Sequence, residues 1–155
     1  MTEGISLLHS GAGAYRVTGA VLLNAYYNSL LARACEIAGR VEEGFTLLDE
    51  ALQIVEMSEE RWFAAELNRY KGQLQLRRGH SEAAEELYRK ALSITAEQDA
   101  KMWELRAAVS LARLRGDQGR RAEACDLLAP VYGWFAESFA TPDLKVAKAL
   151  LDEVT

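Results

Sequence analysis

Residues 65–92 read AELNRYKGQLQLRRGHSEAAEELYRKAL, two stretches of helical spacing joined by Gly79-His80. Ser81 is placed to cap the second stretch, and acidic residues follow in its first turn, where they suit the helix dipole. A step of 40 residues in either direction from Gly79 lands on Gly39 and Gly119. The same offsets recur around all three glycines. Five on stands a small residue (Gly44, Ala84, Ala124), nine on a bulky one (Leu48, Tyr88, Leu128), and twelve on Ala51, Ala91 or Val131. Seven before stand Ala32, Gly72 and Ala112. Small residues facing each other across a turn let antiparallel helices pack closely, and the bulky residue fills the gap to the next repeat. Such self-similarity marks a helical repeat array, an architecture that offers a surface for holding something.

The period predicts paired helices over 18–57, 60–97 and 101–138, with Gly39-Arg40 as the hinge of the first pair. The first helix of the second pair is read as Trp62 to Arg78, and the last helix of the third pair as Arg121 to Ser138. Thr141-Pro142-Asp143 then starts a capping helix over 142–154, with Thr141 as cap and Pro142 at the first position. Forty residues before Gly44 and Leu48 stand Gly4 and Leu8, so residues 3–17 read as a half-repeat whose first helix is missing. On that reading the chain is cut from a longer array. The uncovered helix, with Ile5, Leu7, Leu8 and Tyr15, is then expected to make the chain self-associate.

With 155 residues, half of them hydrophobic and 26% charged, the chain has enough apolar surface for one continuous core. No apolar run approaches the length of a membrane span, and Met1 to Leu8 lacks the basic flank and apolar stretch of a secretory signal. A cytoplasmic protein without membrane contact is the expectation. Cys35 and Cys125 fall two repeats apart, beyond bridging distance, and read as reduced structural thiols.

The pattern resembles the tetratricopeptide repeat, whose small-residue signature corresponds to Gly72, Ala84 and Ala91. The step of 40 exceeds the usual step of about 34, and Glu56, Ala96 and Ala136 stand where the family carries its terminal proline. Longer helices follow. The resemblance implies an all-α, right-handed α-solenoid acting as a protein-interaction module. VEEGFTLLDEAL (41–52), AELNRYKGQLQLRRG (65–79) and SLARLRGDQGRRAEACDLLAPVYGWFAESFATPDLKVAKALLDE (110–153) are also similar to the carboxy-terminal helical region of large bacterial signalling proteins. In those, a cyclase or transcriptional-regulator domain and an ATPase module precede the repeats. This second resemblance implies a regulatory segment, with any catalysis in other domains.

Chemistry-bearing constellations are few. Gly11-Ala12-Gly13 is the nearest approach to a phosphate loop, but it lacks the lysine that would reach the phosphates. His9 and His80 have no partners at metal-ligand spacing. Glu42-Glu43 and Glu85-Glu86 are adjacent on helices and point about 100° apart, so neither pair shares a proton. We therefore expect no catalytic residue, cofactor or metal. Trp62 and Phe63, with Met102 and Trp103 one period later, read as a repeated packing contact rather than a binding cage, because Leu22 and Leu23 take the same step. Trp134, Phe135 and Phe139 are expected to seat the last helix. A pI near 5.2 argues against a nucleic-acid face.

Charge is uneven. Residues 1–60 carry three Lys or Arg against nine Asp or Glu, and residues 61–155 carry fifteen against fourteen. The resemblance places the first helix of each pair along an inner groove. The matching positions are Tyr26, Ser29, Arg33, Glu36, Glu66, Arg69, Gln73, Arg77, Arg106, Val109, Arg113 and Asp117, five arginines against three acids. An acidic or carboxylate-bearing peptide is the expected partner, with Arg33, Arg69 and Arg113 exposed along one concave wall. The alternative is a small-molecule effector held in the same groove and shifting the attached domains.

Overall fold

The computed structural model describes residues 2–17, 23–58, 61–135 and 141–155. These form α1 (Thr2–Val17), α2 (Asn24–Ile37), α3 (Val41–Ser58), a 3-10 turn (Arg61–Phe63), α4 (Ala64–Arg77), α5 (Ser81–Glu97), α6 (Lys101–Asp117), α7 (Arg121–Gly133) and α8 (Pro142–Val154). There is no strand among the described residues. The most extensive packing is within the pairs α2/α3, α4/α5 and α6/α7, and each pair leans on the next through α3 with α4 and α5 with α6. The first helices also touch one another in series, α2 to α4, α4 to α6 and α6 to α8. They make a continuous inner layer.

The period is written into the turns. Gly39, Gly79 and Gly119 hold φ of 76°, 80° and 78°, the left-handed region that side chains resist. Beyond each, the next amide donates back across the turn: Arg40 N to the Cys35 carbonyl (2.8 Å), His80 N to Gln75 (2.9 Å) and Arg120 N to Arg115 (2.8 Å). This closes each first helix with a six-residue hydrogen-bonded turn. The junction between the second and third pairs repeats it without glycine, for Asp99 takes φ 50° and Ala100 N donates to Thr95. A Cβ on Gly79 would meet no atom within 4 Å. Gly79→Ala is therefore expected to cost about 1 kcal/mol through backbone conformation alone. A chemical-denaturation midpoint equal to the parent's would show that this turn is not held left-handed.

Three of the expected boundaries shift. Ser81 is the first helical residue and not the cap; His80 takes that place without a side-chain capping bond, its ring Nδ1 lying 3.0 Å from Gln75 Oε1 and its carbonyl accepting from Ala84 N at 3.1 Å. Likewise Trp62 lies in the 3-10 turn, and the α-helix proper begins at Ala64. α7 ends at Gly133, with Trp134 and Phe135 in the turn after it; Phe139 and the expected end at Ser138 lie outside the described residues. The α8 start is as read, with Thr141 Oγ1 accepting from Leu144 N at 3.4 Å and Pro142 at the first position.

The core runs through the array. Leu31, Leu48, Leu67 and Leu74 fill it between the first two pairs, and Leu105, Leu128, Leu144 and Leu150 between the third pair and α8. Tyr88, with Ala84, Leu111 and Leu114, links them. Burial pushes its phenol up to about 12. Cys35 and Cys125 are both free thiols. No helix among the described residues is long and apolar enough to cross a membrane.

Candidate functional site

The inner layer carries one side chain per repeat at each register position, so residues 40 apart lie side by side along the array. Tyr26, Glu66 and Arg106 form one such row. Glu66 is only 1% exposed, and a carboxylate that deep must be matched by charge and hydrogen bonds. Arg69, one turn on, donates to it through Nε (2.7 Å) and Nη2 (2.9 Å), a bidentate pair. Arg106, from the next repeat, brings Nη1 to 3.6 Å of Glu66 and donates Nη2 to Asp143 of α8 at 2.8 Å. Burial alone would lower the Arg69 guanidinium, but the hydrogen bonds and charge of Glu66 carry it above its ordinary range.

Tyr70 extends this chain of charges toward the first pair. The Arg69 guanidinium lies 4.5 Å from its ring centroid and that of Arg33 lies 5.1 Å away, within cation–π reach. Burial, followed by the charge of Glu66, raises the Tyr70 phenol above its usual range. Further along, Arg77 donates to Glu36 at 3.3 Å.

The anticipated groove residues thus divide. Arg33, Arg77, Arg113 and Asp117 are exposed, and Tyr26, Glu36, Gln73, Arg106 and Val109 are half-buried. Ser29 is fully buried and does not reach the groove; its hydroxyl donates to the Tyr26 carbonyl at 2.6 Å. The expected exposure of Arg69 fails as well, since its side chain is 12% exposed and folded onto Glu66. Helical spacing put both residues on the right helices but could not show how closely adjacent repeats approach. Asp143, absent from the anticipated set, enters because α8 continues the inner layer; its place just after the Thr141-Pro142 start was the available signal.

The aromatics form a ladder across the N-terminal ends of the first helices. Tyr15 meets Tyr27 (5.1 Å between centroids), Tyr26 meets Phe63 (5.2 Å), and Phe63 meets Trp103 (5.5 Å). Edge-to-face pairs of this kind strengthen the junctions between repeats, so the packing reading holds. Trp62, 43% exposed, lies 6.0 Å from Trp103 and 6.1 Å from Tyr26 and leaves an aromatic shelf beside the groove. Phe135 packs against the cluster that seats α8, whereas Trp134 is exposed beneath Lys101. At the other end, Leu8 and Ile37 are exposed around a shallow apolar recess of about 410 Å³ lined also by Ile5 and Ala34, and Leu7 is exposed on the same helix as Leu8. No group of His, Cys, Asp and Glu among the described residues is arranged to hold a metal.

This architecture, helix hairpins stacked so that the first helices share one face, is that of a helical repeat protein. Residues 22–97 match the tetratricopeptide-repeat family. Among solved structures, the chain is similar to the nearly identical TPR-like repeats of a Podosopora anserina protein assigned as a kinesin light chain, with a TM-score of 0.74 and 21% identity over 99% of this chain and 76% of that one. A single-substitution variant of those repeats aligns at a TM-score of 0.75, again with 21% identity and the same coverage. These likenesses show the fold. A comparison with curated proteins gives no match.

Proposed function

We propose that the chain is a non-catalytic protein-interaction module whose inner groove holds an extended peptide bearing acidic residues. Tetratricopeptide repeats as a class mediate protein–protein interaction, and residues 22–97 match that family. The supporting observation is an asymmetry among the groove arginines. Arg69, Arg77 and Arg106 are bonded to carboxylates of the chain itself, whereas Arg33 on α2 and Arg113 on α6 have no ion-pair partner among the described residues. A partner's carboxylates can meet these two without displacing an existing ion pair. Tyr26 and Trp62 offer an adjacent shelf for an apolar anchor.

At a finer level, the similarity to helical regions of bacterial signalling proteins supports a regulatory segment that reports peptide capture to an attached cyclase, ATPase or DNA-binding domain. Sequencing the gene around the coding region tests this part, and a flanking domain of unrelated kind would count against it.

For the groove, the variant to make is Arg33→Ala with Arg113→Ala, leaving Arg69 in place because it neutralises Glu66. Fluorescence anisotropy with extended Asp- and Glu-rich peptides is expected to show binding weakened about tenfold at low salt, with a flatter salt dependence. Thermal stability should stay within about 0.5 kcal/mol of the parent. If the peptides bind parent and double variant equally at low salt, the groove assignment fails.

A further inference from the structure

A second concavity lies on the other side of α4. Residues 64 and 68 point roughly opposite to 66, 69 and 73 at about 100° per residue, and between the flanking helices α3 and α5 they floor an open cleft of about 450 Å³. Its walls are aliphatic, with Leu52 and Val55 from α3 and Ile94 from α5. In the floor sits Asn68, 1% exposed. Its Nδ2 donates to the Ala64 carbonyl at 2.8 Å, but its Oδ1 has no hydrogen-bond partner among the described residues. A buried acceptor left unmet is costly, and asparagine is a poor choice for a helix interior that packing alone could fill with leucine.

The repeat itself provides the comparison. Forty residues earlier, Asn28 is also fully buried, and its Nδ2 lies 3.5 Å from Glu50 on α3. Forty residues later the position is Ala108. In the second repeat the counterpart of Glu50 is Lys90, which stands on the cleft rim without an ion pair among the described residues. The open amide oxygen is thus a feature of this one cleft and not of the repeat pattern.

We propose that this cleft is a binding site for a small neutral aliphatic amide. The ligand's N–H would donate to Asn68 Oδ1 while its aliphatic body lies between Leu52, Val55 and Ile94. Arg61 and Lys90 face Glu56 and Glu97 around the rim, two cations against two carboxylates, which leaves no net charge to favour an ionic ligand. The volume falls within the range of small-molecule pockets. The site is independent of the groove, since the groove arginines are on the opposite side of α4.

The test is a pair of probes, isocaproamide and methyl isocaproate, which share the branched aliphatic body and differ in having or lacking an N–H. Titration of isotope-labelled protein followed by NMR is expected to move the Asn68 side-chain amide and the methyls of Leu52, Val55 and Ile94 with the amide probe, and to show the ester binding about tenfold more weakly. Asn68→Leu should reduce amide binding by the same factor. Ile94→Trp, which fills the cleft without touching Asn68, should abolish it and serves as the second arm if Asn68→Leu does not fold. Equal binding of the two probes overturns the proposal, as do undiminished amide binding by a folded Asn68→Leu or Ile94→Trp variant and shifts confined to residues outside the cleft.

Discussion

Gly72→Leu is expected to lower stability by about 3 kcal/mol, the upper end of the usual cost of overpacking. A Cβ at Gly72 would stand 2.6 Å from Tyr88 Cε1 and 2.9 Å from Cδ1, distances that real Cβ atoms do not tolerate. The ring cannot easily move aside, because Tyr88 is buried among Ala84, Leu111 and Leu114 and so links the second pair to the third. Replacing a mid-helix glycine gains about 1 kcal/mol of helix propensity, which the clash outweighs. Gly44 is tight in a different way: its Cβ would meet the Ala32 carbonyl oxygen at 3.0 Å. Urea denaturation checks the claim. Combining Gly72→Leu with Tyr88→Leu should cost less than the sum of the two changes, since the second makes room for the first. An unchanged midpoint for Gly72→Leu would mean that α4 and α5 do not pack through this position.

Why Gly72 was legible and Glu66 was not follows from what each depends on. Close helix packing needs a small residue at a fixed register, so Ala32, Gly72 and Ala112 recur at one step and announce themselves. The same holds for the left-handed glycines and for Thr141 with Pro142. Asp99 shows the limit: it turns the chain as Gly79 does, yet aspartate carries no comparable signal. Glu66 and Arg69 have the residue types and helical phase of ordinary solvated groove positions. What buries Glu66 is the approach of Arg106 from the next repeat, itself anchored by Asp143. That distance is a property of the stacked array and of α8, and no local spacing encodes it. Asn68 is hard to read from sequence for a related reason: a polar residue on a core face is visible in the pattern, but an unmet acceptor is visible only once its neighbours are placed.

Glu66→Ala carries the largest expected effect, a loss of about 3–5 kcal/mol, typical of removing one member of a buried ion pair. With the carboxylate gone, Arg69 would be left 12% exposed without its bidentate acceptor, and Arg106 would keep only Asp143. Arg69→Ala should cost a comparable amount, because it leaves the Glu66 carboxylate buried with Arg106 at 3.6 Å as its remaining charge partner. The paired replacement Glu66→Leu with Arg69→Met removes both charges and keeps most of the volume, so it should restore much of the loss. If all three variants unfold at the same denaturant concentration as the parent, the carboxylate is not buried as described. The consequence for binding is separable from the one for stability. The paired replacement leaves Arg33 and Arg113 untouched, so an acidic peptide held by those two guanidinium groups should bind it nearly as well as the parent. A large loss of peptide affinity in this stable, charge-free variant would instead place the Glu66–Arg69 pair among the groups that contact the partner.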